Sequence, residues 1–219
     1  MIRADHKRWA RLVFNPWIDR LLRKSFTNFF LANRFPDTPS DLGLLITPNH
    51  MSWWDGFFID HVCRKMTDRR FHIMMLEHQL RRYWFFRKLG AYSIDQNDPE
   101  NIKESLGYTA ELMRDPCNIA VMFPQGILEP YDLLPVRIRK TGLQQIAGNA
   151  HGSFTILPAA FKISFFEEQQ PEIIARFGRV FTPEEITDDF PAYEEEFTRN
   201  IDLLDRASYR REYIGDLFS

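Results

Sequence analysis

His50 and Asp55 are the side chains in this sequence best suited to moving a proton, and they stand five residues apart in Asn49-His50-Met51-Ser52-Trp53-Trp54-Asp55-Gly56. That spacing restricts how they can meet. Within one helix, five residues turn the side chain through about 500°, so the two point well apart. Within one strand they lie on opposite faces. They meet only where His50 sits in a loop and Asp55 in the first turn of the helix that follows. An imidazole held by a carboxylate in that way is a general-base arrangement, because the carboxylate fixes the tautomer and stabilises the imidazolium that forms. Taken alone, the same residues also describe a simple cap. Ser52 is then the N-cap and Asp55 falls near the third helical position, where the helix dipole favours a carboxylate.

A second loop lies downstream. Phe123-Pro124-Gln125-Gly126 follows the apolar run Asn118-Ile119-Ala120-Val121-Met122, which reads as a buried strand. Pro ends the ladder, and Gly lets the backbone turn and approach a ligand. By itself this loop is a turn. Together the two loops cap two strand ends, and in an α/β sheet ligands collect outside the carboxyl ends of the strands.

The elements that must hold these loops are legible in outline. Strands are expected near 43–48, 71–76, 91–94, 118–123, 154–161 and 172–180. Helices are expected near 5–33, 53–66, 79–88, 99–115, 142–151 and 192–212. Alternating strands and helices predict an α/β fold with a largely parallel central sheet flanked by helices. With 219 residues there is length for a sizeable core, and no repeat or Gly/Ser linker divides the chain. Residues 1–35 are expected to form an N-terminal amphipathic helical segment facing a membrane, and 36–219 the domain that carries the chemistry.

Asn15 and Pro16 read as the N-cap and first position of the N-terminal helix. Trp17, Ile18, Leu21, Leu22, Phe26, Phe29 and Phe30 then recur at helical spacing, with Arg20, Arg23, Lys24, Thr27 and Asn28 on the other side. Such a helix either rests in a lipid headgroup layer or packs its apolar face on its own domain. Charge supports a surface role. The net charge is −2, yet residues 1–34 carry eight Lys/Arg against Asp5 and Asp19. A second basic cluster includes Arg81-Arg82-Tyr83-Trp84-Phe85-Phe86-Arg87-Lys88. This asymmetry points to an anionic surface as partner. Membrane contact is expected through Trp17, Arg20, Arg23, Arg81, Arg82, Trp84, Phe85 and Phe86. No nucleic-acid motif accompanies the basic patch, so no nucleic acid is expected.

The start of the chain lacks the apolar stretch of a secretory signal, and no run approaches the ~18 apolar residues of a spanning helix. The expected location is cytoplasmic, peripheral on the cytoplasmic face of a membrane. Cys63 and Cys117 make neither a disulfide framework nor a metal site, and His61, His72, His78 and His151 read as surface or core-edge residues.

The N-H-x4-D pattern at Asn49 to Asp55 and the F-P-x-G loop at Phe123 to Gly126 resemble the glycerolipid acyltransferase family, the group that contains lysophosphatidate acyltransferase. Gly90-Ala91-Tyr92-Ser93-Ile94-Asp95 resembles its G-x-x-x-I-D-R stretch. Ile156-Leu157-Pro158-Ala159-Ala160 resembles its late V-P-V-type strand. Lys140-Thr141-Gly142-Leu143, with Ala147 and His151 beyond, resembles the basic segment and helix between them. The blocks agree in order and spacing over about residues 43 to 180. The resemblance implies O-acyl transfer from acyl-CoA or acyl carrier protein to a hydroxyl of a lyso-lipid or other lipid-like acceptor. His50 is then the base and Asp55 its support, and no cofactor or metal is needed. It places Asn49, Phe123, Pro124, Gln125 and Gly126 at the substrate. A competing class is a non-catalytic lipid-binding protein on the same scaffold.

Two departures bear on the acceptor. The family loop reads F-P-E-G-T-R-S, whereas this chain has Gln125 for the Glu and Ile127-Leu128-Glu129 for the Thr-Arg-Ser. The Arg that ends the second block is Gln96 here. The resemblance associates those lost bases with an acceptor phosphate, so an acceptor lacking a simple phosphomonoester is expected. Arg137, Arg139 and Lys140 either replace the lost charge or form a solvated basic face.

Overall fold

The computed structural model describes residues 1–133, 136–150 and 152–219. In chain order the elements are α1 (Arg8–Ser25), β1 (Phe29–Leu31), β2 (Gly43–Pro48), α2 (Asp55–Met66), β3 (Arg70–Leu76), α3 (Glu77–Arg82) and α4 (Phe86–Leu89). There follow β4 (Ala91–Ile94), α5 (Pro99–Met113), β5 (Asn118–Val121), α6 (Lys140–Asn149), β6 (Phe154–Ser164), β7 (Glu172–Phe177), α7 (Pro183–Asp188), α8 (Phe190–Arg210) and β8 (Gly215–Asp216).

The strands make one eight-stranded sheet in the order β4-β3-β5-β2-β6-β7-β1-β8. Pairing is parallel from β4 across to β6, antiparallel between β6 and β7, parallel between β7 and β1, and antiparallel between β1 and β8. The expected largely parallel sheet is therefore observed, with two antiparallel pairings toward one edge. All six residues of β2 are buried, as a central strand covered on both faces requires. Alternate residues serve opposite layers: Leu44 and Ile46 pack under α1 and α2, Leu45 under α5, α6 and α8.

Local chemistry explains several boundaries. Asp98 accepts from the N–H groups of Glu100 and Asn101 and starts α5, with Pro99 as its first residue. Thr182 and Glu185 form a capping box on α7. Gly90 ends α4 at φ +112, and a Cβ there would come within 2.1 Å of the Phe71 carbonyl oxygen. Only glycine fits, and the sharp turn sends the chain directly into β4.

The N-terminal segment differs from expectation. The helix begins at Arg8, so Pro16 lies inside it rather than at its start. It stops at Ser25, and Phe29–Leu31 is a strand paired with β7, not more helix. Three residues carry no readable period, and their partner is more than 140 residues away in the chain. The expected helix at 79–88 is two short helices, interrupted at Tyr83. The expected 142–151 helix runs Lys140–Asn149, and His151 lies outside the described residues.

Ile18, Leu22, Phe26 and Phe29 of the expected lipid-facing stripe are buried in the core. Helix α1 thus packs this face on its own domain. A polar cluster adds direction to that packing. Arg64 Nη2 donates to Asp19 Oδ1 at 2.6 Å, Arg64 Nε to Asp60 Oδ2 at 2.9 Å, and Arg11 Nη1 to Asp60 Oδ1 at 2.6 Å. Burial alone would raise the Asp19 carboxyl, but the Arg64 guanidinium holds it below the usual range.

Candidate active site

β2 and β5 are neighbours in register, Ile46 opposite Val121. Both run the same way, so the loops that follow them leave the same edge of the sheet side by side. This adjacency brings Asn49–Asp55 and Phe123–Glu129 together.

His50 Nδ1 lies 2.8 Å from Asp55 Oδ2. Asp55 has no exposure, and its carboxylate is surrounded by donors. Oδ2 also accepts from the Met51 and Ser52 N–H groups at 2.7 and 2.9 Å, and Oδ1 accepts from Ser52 Oγ at 2.6 Å. Four donors thus satisfy this buried carboxylate as an acceptor. The His50 proton therefore sits on Nδ1, and Nε2 keeps its lone pair with no protein partner among the described residues. Asp55 is the first residue of α2, not the third as the sequence suggested, and Trp54 rather than Ser52 occupies the cap position. Ser52 holds the carboxylate itself.

The second loop closes on the first. The Phe123 ring stacks on His50, centroids 4.2 Å apart and 21° from parallel. Gln125 Oε1 accepts the His50 backbone N–H at 2.6 Å. Gly126 turns the loop at φ +71, and Arg139 lies across it, so that a Cβ there would meet Arg139 Cδ at 2.8 Å and Nε at 2.9 Å. The Arg139 backbone N–H donates to the Pro124 carbonyl at 2.8 Å.

His50, Phe123, Pro124, Gly126 and Arg139 all line a cavity of about 620 Å³. Its wall is largely apolar. It passes Trp53, Phe57 and Phe86 and continues past Ile73, Met74, Ala91, Ile94, Ile102, Leu106 and Met122. A cavity of this size and lining suits an apolar ligand oriented by a few polar groups. Its polar lining includes His50, Ser52, Gln96 and Arg139, together with Asp60, Gln79 and Gln145.

Residues 33–162, more than half of the chain, match the sequence model of the family described as Acyltransferase. The chain belongs to the acyltransferase family. A search of curated proteins finds no match. Among solved structures, the fold is similar to that of the 1-acyl-sn-glycerophosphate (LPA) acyltransferase PlsC from Thermotoga maritima. The TM-score is 0.58 at 12% identity, and the match covers 94% of this chain and 83% of that one.

For this acyltransferase, the structure separates residues that reach the cavity from those that support it. Asn49, expected at the substrate, is buried behind the site. Its amide donates to the Phe161 carbonyl at 3.0 Å and accepts the Phe161 N–H at 2.7 Å, anchoring the loop to β6. Gln125 is likewise buried, spent on His50 and on Glu129. Arg137 and Lys140 do not line the cavity, so Arg139 is the member of that trio placed to meet a ligand. Phe85 and Phe86, expected to dip into lipid, are half-buried. Phe85 stacks on Phe14 at 5.0 Å, and Phe86 packs against the core. Trp17, Arg20, Arg81, Arg82 and Trp84 are exposed, as is Arg23. Sequence reasoning missed Glu129 as a buried group beside His50. No local signal marks its burial, since Ile127 and Leu128 just before it are themselves exposed.

Proposed function

We propose that this protein transfers a fatty acyl group from a thioester, acyl-CoA or acyl carrier protein, to a hydroxyl of a lipid-like acceptor. The observation that carries the reading is His50, bonded to Asp55, on the wall of a largely apolar cavity. His50 Nε2 removes the hydroxyl proton as the oxygen attacks the thioester carbon. Asp55 keeps Nδ1 protonated and stabilises the imidazolium. The C–S bond then breaks, and the departing thiolate recovers the proton from His50. Of the second loop's N–H groups, that of Gly126 is bonded to the Phe123 carbonyl at 3.1 Å. A backbone N–H of the cavity-lining part of this loop is the proposed oxyanion donor. The acyl chain is held by the apolar lining that includes Ile73, Ile102, Leu106 and Met122.

The acceptor is proposed to lack a simple phosphomonoester. Where similar sequences carry Arg, Gln96 donates its amide to the Gly126 carbonyl at 2.6 Å and supplies no positive charge. One observation supports the alternative, an ordinary lysophosphatidate. Arg139 lines the cavity and has no carboxylate partner among the described residues. A panel of acceptors with one acyl-CoA decides. Uncharged lyso-lipids should outpace lysophosphatidate. Efficient phosphatidate formation, falling about 10- to 100-fold in Arg139→Ala as expected for a lost charged hydrogen bond, overturns the reading of an acceptor without a phosphomonoester.

A membrane surface is the proposed source of the acceptor. No helix among the described residues is long and apolar enough to cross a membrane. Helix α1 nevertheless exposes Trp9 by 51%, Leu12 by 77%, Val13 by 59% and Trp17 by 48%, at helical spacing on one side. This stripe is distinct from the buried one. Trp84, 61% exposed, lies on the segment that the Phe14–Phe85 stack joins to α1. Exposed large apolar groups beside bases describe an interfacial contact. In vesicle flotation, replacing Trp9, Leu12 and Trp17 by Ser should abolish binding to anionic vesicles that persists at high salt. Unchanged flotation of that variant rules out this face.

A further inference from the structure

The buried side chains of Gln125 and Glu129 close a ring of hydrogen bonds around the backbone of His50. Gln125 Oε1 accepts the His50 backbone N–H at 2.6 Å, and Gln125 Nε2 donates to Glu129 Oε2 at 2.8 Å. The Glu129 backbone N–H then donates to the His50 carbonyl at 2.9 Å. Gln125 is 6% and Glu129 7% exposed. Both polar backbone groups of His50 are thus held by one short loop, which also supplies the Phe123 ring stacked on the imidazole. Neither Gln125 nor Glu129 is among the residues lining the cavity, so neither is placed to touch substrate.

We infer that Gln125 and Glu129 are a positioning pair that fixes the height and tilt of His50, and that the pair works only with one amide and one carboxylate. The chemistry of the pair is specific. Gln125 must present an oxygen to His50, so its remaining atom facing Glu129 is an N–H donor. A carboxylate at both positions sets two anions at hydrogen-bond distance in a dry site, which forces one to take a proton or move away. Exchanging the two residues conserves every bond. A carboxylate at position 125 accepts from the His50 N–H with one oxygen and, with the other, from an amide at position 129. The inference rests on His50 acting as the base of acyl transfer, but its geometric content does not.

The test uses Gln125→Glu, Glu129→Gln and the double exchange Gln125→Glu/Glu129→Gln. Each is assayed with palmitoyl-CoA and a mixed lyso-lipid extract, and each melting temperature is recorded. Gln125→Glu should lose about tenfold or more in kcat at pH 8 with little change in KM for the thioester, and regain rate as the pH is lowered toward 6. The double exchange should recover most of that loss. A second readout needs no turnover, namely the His50 Nδ1 proton in the NMR spectrum. It should be sharp in wild type, broadened in Gln125→Glu at pH 8 and sharp again in the double exchange. If Gln125→Glu unfolds, Gln125→Met, which keeps the bulk and removes both bonds, should show the same broadened proton. Wild-type behaviour of Gln125→Glu at pH 8, or a double exchange no better than the single, overturns the pairing. Loss of turnover in every protein, wild type included, with the NMR pattern intact refutes the acyl-transfer reading and leaves the positioning pair standing.

Discussion

His50→Ala is expected to lower acyl transfer by about 10²–10⁴-fold, the range contributed by a positioned general base. The loss should fall on kcat, with KM for the thioester nearly unchanged. The apolar lining that would hold the acyl chain includes Ile73, Met74, Ile102 and Leu106 and does not depend on the imidazole. Folding should survive the change, because the His50 side chain is 26% exposed and its polar contact with Asp55 is one of four on that carboxylate. Kinetics with a saturating acceptor, together with a melting curve, check both halves. Wild-type-like turnover by a folded His50→Ala protein contradicts the role of the base.

Asp55→Asn should cost nearly as much for a different reason. An asparagine can place its oxygen where Oδ2 now accepts from His50, Met51 and Ser52, and can turn its amide toward Ser52 Oγ. The loop therefore keeps its shape while the charge that stabilises the imidazolium is lost. A fall of about 10²–10⁴-fold in kcat is expected, with a small change in melting temperature. Asp55→Ala behaves differently. It strands the Met51 and Ser52 N–H groups in a buried place, at about 1–3 kcal/mol each, so that variant should also be visibly less stable. An Asn variant that turns over normally shows that the carboxylate is a cap only.

How far these features could be read from residues alone depends on the range of the interaction that sets them. The His50–Asp55 contact is local, and its spacing allowed one geometry, which the structure contains. The strand 43–48 was legible to its ends, since a fully buried central strand is a continuous apolar run. The pairing of Phe29–Leu31 with Ile173–Ala175 was not, because nothing near residue 29 records a partner so distant. Helix α1 shows a different limit. Trp17, Ile18 and Leu22 read as one apolar stripe, yet Ile18 and Leu22 are buried while Trp17 is exposed together with Trp9, Leu12 and Val13. Only packing reveals which side the domain covers. Gln125 and Glu129 were seen as departures from a family loop. Their bonds to His50 arise because β2 and β5 are adjacent, which local pattern does not encode.

The most direct measurement is the release of free thiol from palmitoyl-CoA, labelled in its acyl chain, by the purified protein with and without a mixed lyso-lipid extract. A direct transfer through His50 gives thiol release that requires the extract, an equal amount of label in a lipid product, and no label on the protein. The His50→Ala protein gives neither signal at the same concentration. If the wild type binds the extract yet releases no thiol from either palmitoyl-CoA or palmitoyl acyl carrier protein, the scaffold holds lipid without catalysis, and the assignment of His50 and Asp55 as catalytic residues is wrong.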